Sequence, residues 1–222
     1  MEHETKPRAW PDVHFGRGPY RFDIANLLIS KFNYTTYLEI GCYKKKCFDE
    51  IVIQEKICID PVCKYNANFR PNLVPDFVGT SDEFFEKNKK TFDIIFIDGL
   101  HLHEQVKIDI ENSLLCLNKN GSILVHDINP LKEIYQYRER CQNTWNGDVW
   151  KEWVRLRSVN ADLNMFAVDL TPIDHGIGVI RKGHQQLITI PDDLTYNYLE
   201  KNRCHVLNLI PPVLIDDFLL AS

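Results

Sequence analysis

No stretch of this 222-residue chain approaches the roughly 18 to 20 consecutive apolar residues of a membrane span. Its first residues, MEHETKPRAWPD, lack the apolar core of a secretory signal. A cytoplasmic protein with no membrane partner is the expectation. No tight CxxC knuckle occurs either. Cys42 and Cys47, like Cys58 and Cys63, have four intervening residues, so zinc-thiolate binding is not expected. Seven irregularly spaced cysteines, with Cys42, Cys58 and Cys116 inside apolar runs, read as buried reduced thiols. There is no basic stripe with interleaved aromatics. Lys44-Lys45-Lys46 is only a local cluster in a chain of net charge −5, which argues against a nucleic-acid partner. Internal repeats, low-complexity tracts and Gly/Ser-rich linkers are absent too. With 44% hydrophobic residues, 222 residues suit one domain with its own core.

What is present is alternation. Residues 22–32 carry apolar side chains at helical spacing, and 36–41 (TYLEIG) form a short apolar strand stopped by glycine. A short helix over 47–54, strands at 56–60 (KICID) and 76–78, and a helix over 81–89 with Ser81-Asp82 in cap position follow. After a strand at 93–98, residues 103–117 space Val106, Ile110, Leu114 and Leu117 as an amphipathic helix, and 122–126 is again a strand. Strands alternating with helices imply right-handed crossovers and a doubly wound, mostly parallel α/β sheet. Two later strands, 165–169 and 178–181, read as a closing antiparallel hairpin, and 191 onward as helical. The whole chain, 1–222, is thus one domain: an N-terminal helical extension (1–33), a Rossmann-like core (34–182) and a C-terminal helical tail (183–222).

Chemistry collects where the strands end. FDIIFIDGLH stops in Asp98-Gly99 with His101 two residues on, and GSILVHD releases His126 and Asp127 in the same way. The mouth of an open α/β sheet is where such folds bind ligands. Gly41 ends the first strand, where it either lets the backbone approach a ligand or only makes a strand-to-helix turn. Asp60 follows it at the spacing of a residue that holds ribose hydroxyls, or caps a turn. Glu39, Ser81-Asp82 and Asp98 repeat an acidic pattern at successive strand ends. The first loop, Gly41-Cys-Tyr-Lys-Lys-Lys-Cys47, has one glycine where a pyrophosphate needs GxGxxG, so a nucleoside without phosphates, S-adenosylmethionine, is the expected cofactor.

YLEIGCYKKKCF, KICIDP, GTSDEFF, FDIIFIDGLHLHEQVKIDI, GSILVHDINP, WNGDVWKEW and DHGIGVI occur in that order. As a set they resemble the small class I S-adenosylmethionine-dependent O-methyltransferases that carry a DGxH motif and are often linked to glycan assembly. The likeness covers about residues 37–180. It implies a seven-stranded Rossmann-like sheet, with Glu39 and Gly41 against the methionine part of the cofactor. Asp60 would hold the ribose and Ser81-Asp82 flank the adenine, with Tyr43 and Asp98 also at the cofactor. One departure is Lys45, where the family often has a second glycine; that lysine is expected to point outward.

Methyl transfer to oxygen requires the acceptor held in line and its proton removed, and a positioned base contributes roughly 10²- to 10⁴-fold. His101 suits that role, its alternative being to brace the loop, whereas His103 reads as structural. Asp98 and Asp127 complete the catalytic set. They would also be the ligands of a divalent ion, Mg or Mn, if one is used. Related metal-using enzymes carry a second acidic or amide residue directly after the Asp127 position, where this chain has Ile128, with Asn129 one further on. The metal is therefore not favoured. Trp145 and Asp148 of WNGDVWKEW, with His126 and Asp174, are the candidate acceptor contacts, since aromatic faces beside polar groups suit sugar rings. Trp150 and Trp153, three apart, alternatively form the core face of a helix capped by Asp148. The expected reaction is methylation of a hydroxyl on a sugar or glycan, with oligomeric state left open. Its rivals are a metal-dependent O-methyltransferase acting on a phenolic or natural-product diol and a non-catalytic cofactor-binding protein.

Overall fold

Eight strands pair in the order β3-β2-β1-β4-β5-β7-β6-β8 in the computed structural model, which describes residues 19–61 and 74–220. They are β1 (Thr36–Ile40), β2 (Glu55–Asp60), β3 (Phe77–Val78), β4 (Phe92–Ile97), β5 (Leu117–His126), β6 (Leu163–Val168), β7 (Ile177–Lys182) and β8 (Leu209–Ile210). Neighbours are parallel except that β7 runs antiparallel to both β5 and β6. This is the expected doubly wound sheet with its closing hairpin. The readings placed on the first residues and on Cys63 lie outside the described residues.

Seven strands become eight because the tail is not wholly helical. Asn208, in the left-handed region at φ 50°, ends the helix before it, and Leu209 and Ile210 then extend alongside Ala167 and Val168 of β6. Helices α1 (Arg21–Phe32), α2 (Lys46–Glu50) and α7 (Ile215–Leu220) cover one face of the sheet. Helices α3 (Ser81–Lys87), α4 (His103–Cys116), α5 (Val149–Val159) and α6 (Tyr196–Leu207) cover the other. Strand alternation assigns the layers: Leu38 and Ile40 of β1 join the second core, while Tyr37 joins the first. Trp150 and Trp153 are fully buried on α5, so both are core, as their helical spacing allowed. Among the described residues no helix is long and apolar enough to cross a membrane.

Three local expectations are corrected. The first short helix stops at Glu50 rather than 54, because Ile51 turns to extended backbone and its side chain is buried. The cap of α3 is Thr80, not Ser81-Asp82: the Thr80 hydroxyl accepts from the Glu83 N–H while Glu83 bonds back to the Thr80 N–H. Lys45 does not point outward. It is only 7% exposed, with its ammonium 5.1 Å from the centre of the Phe48 ring. Its backbone lies at φ 55°, a conformation glycine adopts without strain.

Candidate active site

The C-terminal ends of β1, β2, β4 and β5 open into one cleft of about 680 Å³. That is large enough for a nucleoside cofactor together with part of an acceptor. At one end lie Gly41, Tyr43, Asp60, Ser81 and Asp82. Gly41 sits at φ +85°, and a Cβ there would come within 2.2 Å of the Asp98 carbonyl oxygen, so only glycine lets β1 and β4 end this close together. Asp60 terminates β2 and its Oδ2 accepts from the Tyr43 N–H at 2.8 Å, which folds the first loop back over the strand end. Gln105, one turn into α4, donates from Nε2 to Ser81 Oγ at 3.2 Å and Asp82 Oδ1 at 3.1 Å. It also reaches Asp109, whose buried carboxyl is pushed up to about 6 by loss of solvent. Gln105 and Asp109 carried no signal beyond the helical period of α4.

At the other end, two imidazoles and three carboxylates are packed together. His101 lies between two acids, with Nε2 3.2 Å from Asp98 Oδ1 and Nδ1 3.3 Å from Asp127 Oδ2. His126 spans a different pair: Nδ1 is 2.9 Å from Asp98 Oδ1 and Nε2 is 2.6 Å from Asp174 Oδ1. Arg21, the first residue of α1, completes the group by donating from Nη1 to Asp98 Oδ2 and from Nε to Asp174 Oδ2, both at 3.0 Å. Burial alone would favour the neutral acids, but His126, His101 and Arg21 hold Asp98 well below the usual carboxylate range. Asp174 is lowered in the same way, against its burial, by His126 and Arg21. Burial would lower both histidines. It is outweighed for His101 by its bond to Asp98 and the charge of Asp127, and for His126 by Asp127, Asp98 and Asp174, so both are raised above 6.5.

The WNGD segment holds this cluster in place. The Trp145 ring stacks on His101 at 4.9 Å, and its carbonyl oxygen lies 3.1 Å from His101 Nδ1. Asn146, fully buried, donates from Nδ2 to Asp127 Oδ1 at 2.8 Å. Asp127 is itself left-handed at φ 60°, so the strand end is bent to aim its carboxylate, and Asn146 fixes that aim. Gly147 passes so near the His101 backbone that a Cβ would meet its carbonyl oxygen at 1.8 Å. At this end Arg21 and Asn146 are the residues that sequence reasoning missed. Asn146 stands inside a motif that drew attention for its tryptophans, whereas Arg21 has no local signal.

Two candidate contacts fall elsewhere. Asp148 does not line the cleft: its Oδ1 accepts from the His103 N–H at 2.9 Å and its Oδ2 from Arg138 at 2.7 Å, so it caps α4 rather than α5. Glu39 points to the opposite side of β1, where the Tyr37 hydroxyl donates to it at 2.5 Å, and it too lies off the cleft wall. The rest of the predicted set, Asp98, His101, His126, Asp127, Trp145 and Asp174 included, shares the one cleft.

Residues 49–128 match a family described as a methyltransferase domain. Over 93 residues the chain is 28% identical to uncharacterized protein y4gI of Sinorhizobium fredii; the match takes in 42% of this chain and 8% of that protein, so the chain spans under a tenth of that relative's length. Among solved structures it resembles the O-methyltransferase from Bacillus cereus in complex with SAH (16% identity, TM-score 0.55, 74% of this chain and 81% of that one). It also resembles O-methyltransferase TomG from Streptomyces achromogenes, involved in tomaymycin synthesis, in complex with SAM (12%, 0.53, 73% and 79%). A third is SAH-bound methyltransferase PaMTH1 of Podospora anserina (16%, 0.53, 72% and 77%). At these identities the likeness is one of fold: the sheet is that of the class I methyltransferases.

Proposed function

We propose that this chain is an S-adenosylmethionine-dependent O-methyltransferase that methylates a hydroxyl of a sugar or glycan, with His101 as the proton acceptor. The observation that carries the reading is the continuity of the cleft. The end lined by Gly41 and Asp60 runs directly into the end lined by His101. The methyltransferase-domain match and the O-methyltransferase-like fold support the same reaction class. When bound, the cofactor would supply the methyl group from its sulfonium: the acceptor oxygen would form a bond to that carbon as the carbon–sulfur bond breaks, its electron pair staying on sulfur.

The residues do the rest. Asp60 bonds the ribose and Ser81-Asp82 face the base, while Gly41 keeps the loop low enough for close approach. An acceptor hydroxyl that replaces the 3.2 Å contact of Asp98 with Nε2 of His101 gives its proton to the imidazole, and the charges of Asp98 and Asp127 stabilise the imidazolium that results. Trp145, backed by His101, offers an aromatic wall, and Asn143, Thr144 and His175 add polar groups around it, a lining that suits a polyol. Calorimetry with S-adenosylhomocysteine tests the cofactor half, and no binding at millimolar ligand overturns it. Methyl transfer to rhamnose-type glycosides tests the acceptor half. Turnover on phenolic diols with none on glycosides would move the acceptor class, and cofactor binding without turnover on either would leave a binding protein.

A further inference from the structure

We infer that Arg21 is a positioning residue that takes, together with His126, the charge-neutralising place a divalent cation would occupy at this site, so that the reaction runs without metal. The inference rests on the proposed methyl transfer. Arg21 and His126 each bond both Asp98 and Asp174, and each of those acids is bonded by both cations, through four contacts of 2.6 to 3.0 Å. The result is a closed ring in which two nitrogen-bearing groups alternate with two acids, and Arg21 Nη1 also lies 3.2 Å from His126 Nδ1. Charge-assisted pairs of this length are the strong ones, and each locks the geometry of the next.

The two donor sets that could hold a metal are Asp98, His101 and Asp127, and His126, Asp127 and Asp174. Neither fits an ion as it stands, because its atoms are already used. Asp98 and Asp174 spend both oxygens on Arg21 and His126, and Asp127 Oδ1 is held by Asn146. His101 has one acid at each ring nitrogen, which suits a proton held in line. An ion set among these three residues would bond only one of those nitrogens and would have to displace the acid already held there. The positions after Asp127 add no ligand. Ile128 is core, and Asn129 Oδ1 accepts from Arg203 at 2.5 Å. Arg21 itself lines the cleft with about a third of its side chain exposed, so the ring is part of the wall the acceptor meets.

The test uses the full chain, with Arg21→Met, Arg21→Lys and Arg21→Ala. Calorimetry with S-adenosylhomocysteine first checks each protein: if the parent fails to bind, the functional reading falls, whereas parent binding with the outcomes below judges this inference alone. Titration with Mn²⁺ alone, read by electron paramagnetic resonance, is expected to show no tight site in the parent and a new one in Arg21→Met, with affinity raised about tenfold or more. Parent turnover is expected to be unchanged by EDTA. Arg21→Met should lose about tenfold or more in kcat with cofactor affinity kept, and Arg21→Lys should lose less because it keeps the charge without the fork. Guanidinium ion at millimolar concentration should restore part of the turnover of Arg21→Ala, which a merely structural role would not give. Micromolar Mn²⁺ binding by the parent, loss of its turnover in EDTA, or full turnover in Arg21→Met would overturn the inference.

Discussion

The two ends of the cleft are built in different ways. At the end proposed for the cofactor the residues belong to a strand end, the turn after it or the first turn of a following helix, and the bond that shapes the loop, Asp60 to Tyr43, joins residues 17 apart. At the acceptor end the contacts span the chain: Arg21 to Asp174 over 153 residues, Arg21 to Asp98 over 77, His126 to Asp174 over 48 and His101 to Trp145 over 44. The first end follows from the fold, since any open α/β sheet delivers strand ends to one edge. The second needs more than the fold, because side chains from α1, the ends of β4 and β5, the WNGD turn and the segment before β7 must arrive together. The ends should therefore fail separately when mutated.

The largest effect is expected from His101→Ala. Loss of the proposed base should lower kcat/KM by roughly 10²- to 10⁴-fold. Binding of S-adenosylhomocysteine, measured by calorimetry, should stay within about twofold, since His101 belongs to the acceptor end. A variant that keeps its turnover removes His101 as base, and one that loses both properties shows the two ends to be coupled.

Between the ends, on the far side of β1, lies Glu39, and its expected effect is on stability. Burial, eased by the Tyr37 hydrogen bond and reinforced by the charge of Asp98, raises its carboxyl from 4.5 to about 7. A raised acid binds its proton more tightly folded than unfolded. Its contribution is therefore complete below about 4.5 and is lost as pH rises through about 7. Glu39→Gln keeps the Tyr37 contact without a charge to bury, so urea unfolding at pH 8 should find it more stable than the parent by about 2 to 3 kcal/mol. At pH 4 the two should unfold alike, and a difference between parent and variant that is the same at pH 4 and pH 8 would refute the shift.

The same division explains what the sequence could reveal. Gly41, Asp60 and Asp98 were legible because an apolar run that stops abruptly marks a strand end, and strand ends of a parallel sheet converge. The alternation also announced the sheet and its antiparallel closing hairpin. Asp148 was misplaced because an aspartate before a helix reads as that helix's cap, while its carboxylate instead serves α4, brought alongside only by tertiary packing. Glu39 was misplaced because one-residue alternation along β1 turns it away from the cleft. Strand β8 was missed because two residues hold too little pattern, and Arg21 because nothing around the start of α1 marks a residue whose partners are 77 and 153 positions away.

At the cofactor end, Asp60→Asn should weaken binding of S-adenosylhomocysteine by about tenfold, the scale of one hydrogen bond to a charged group. Its kcat at saturating cofactor should stay near that of the parent, in contrast to His101→Ala. Equal affinity in parent and variant, measured by calorimetry, would take Asp60 out of the ribose site.

The smallest effect concerns the pH profile, and it sharpens the contrast most. His101 accepts a proton only in its neutral form, so kcat/KM should rise with pH through a midpoint above 6.5, because Asp98 and Asp127 hold its proton against burial and the charge of His126. Asp127→Asn removes one of the two raising charges while an amide keeps the shape. The midpoint should then move down, by about one unit or less. Asp60→Asn should leave it in place, because none of the groups that set the His101 proton affinity belongs to the cofactor end. A midpoint that moves with Asp60→Asn but not with Asp127→Asn would mean that the profile reports cofactor binding rather than proton transfer, and the two ends of the cleft would have to exchange roles.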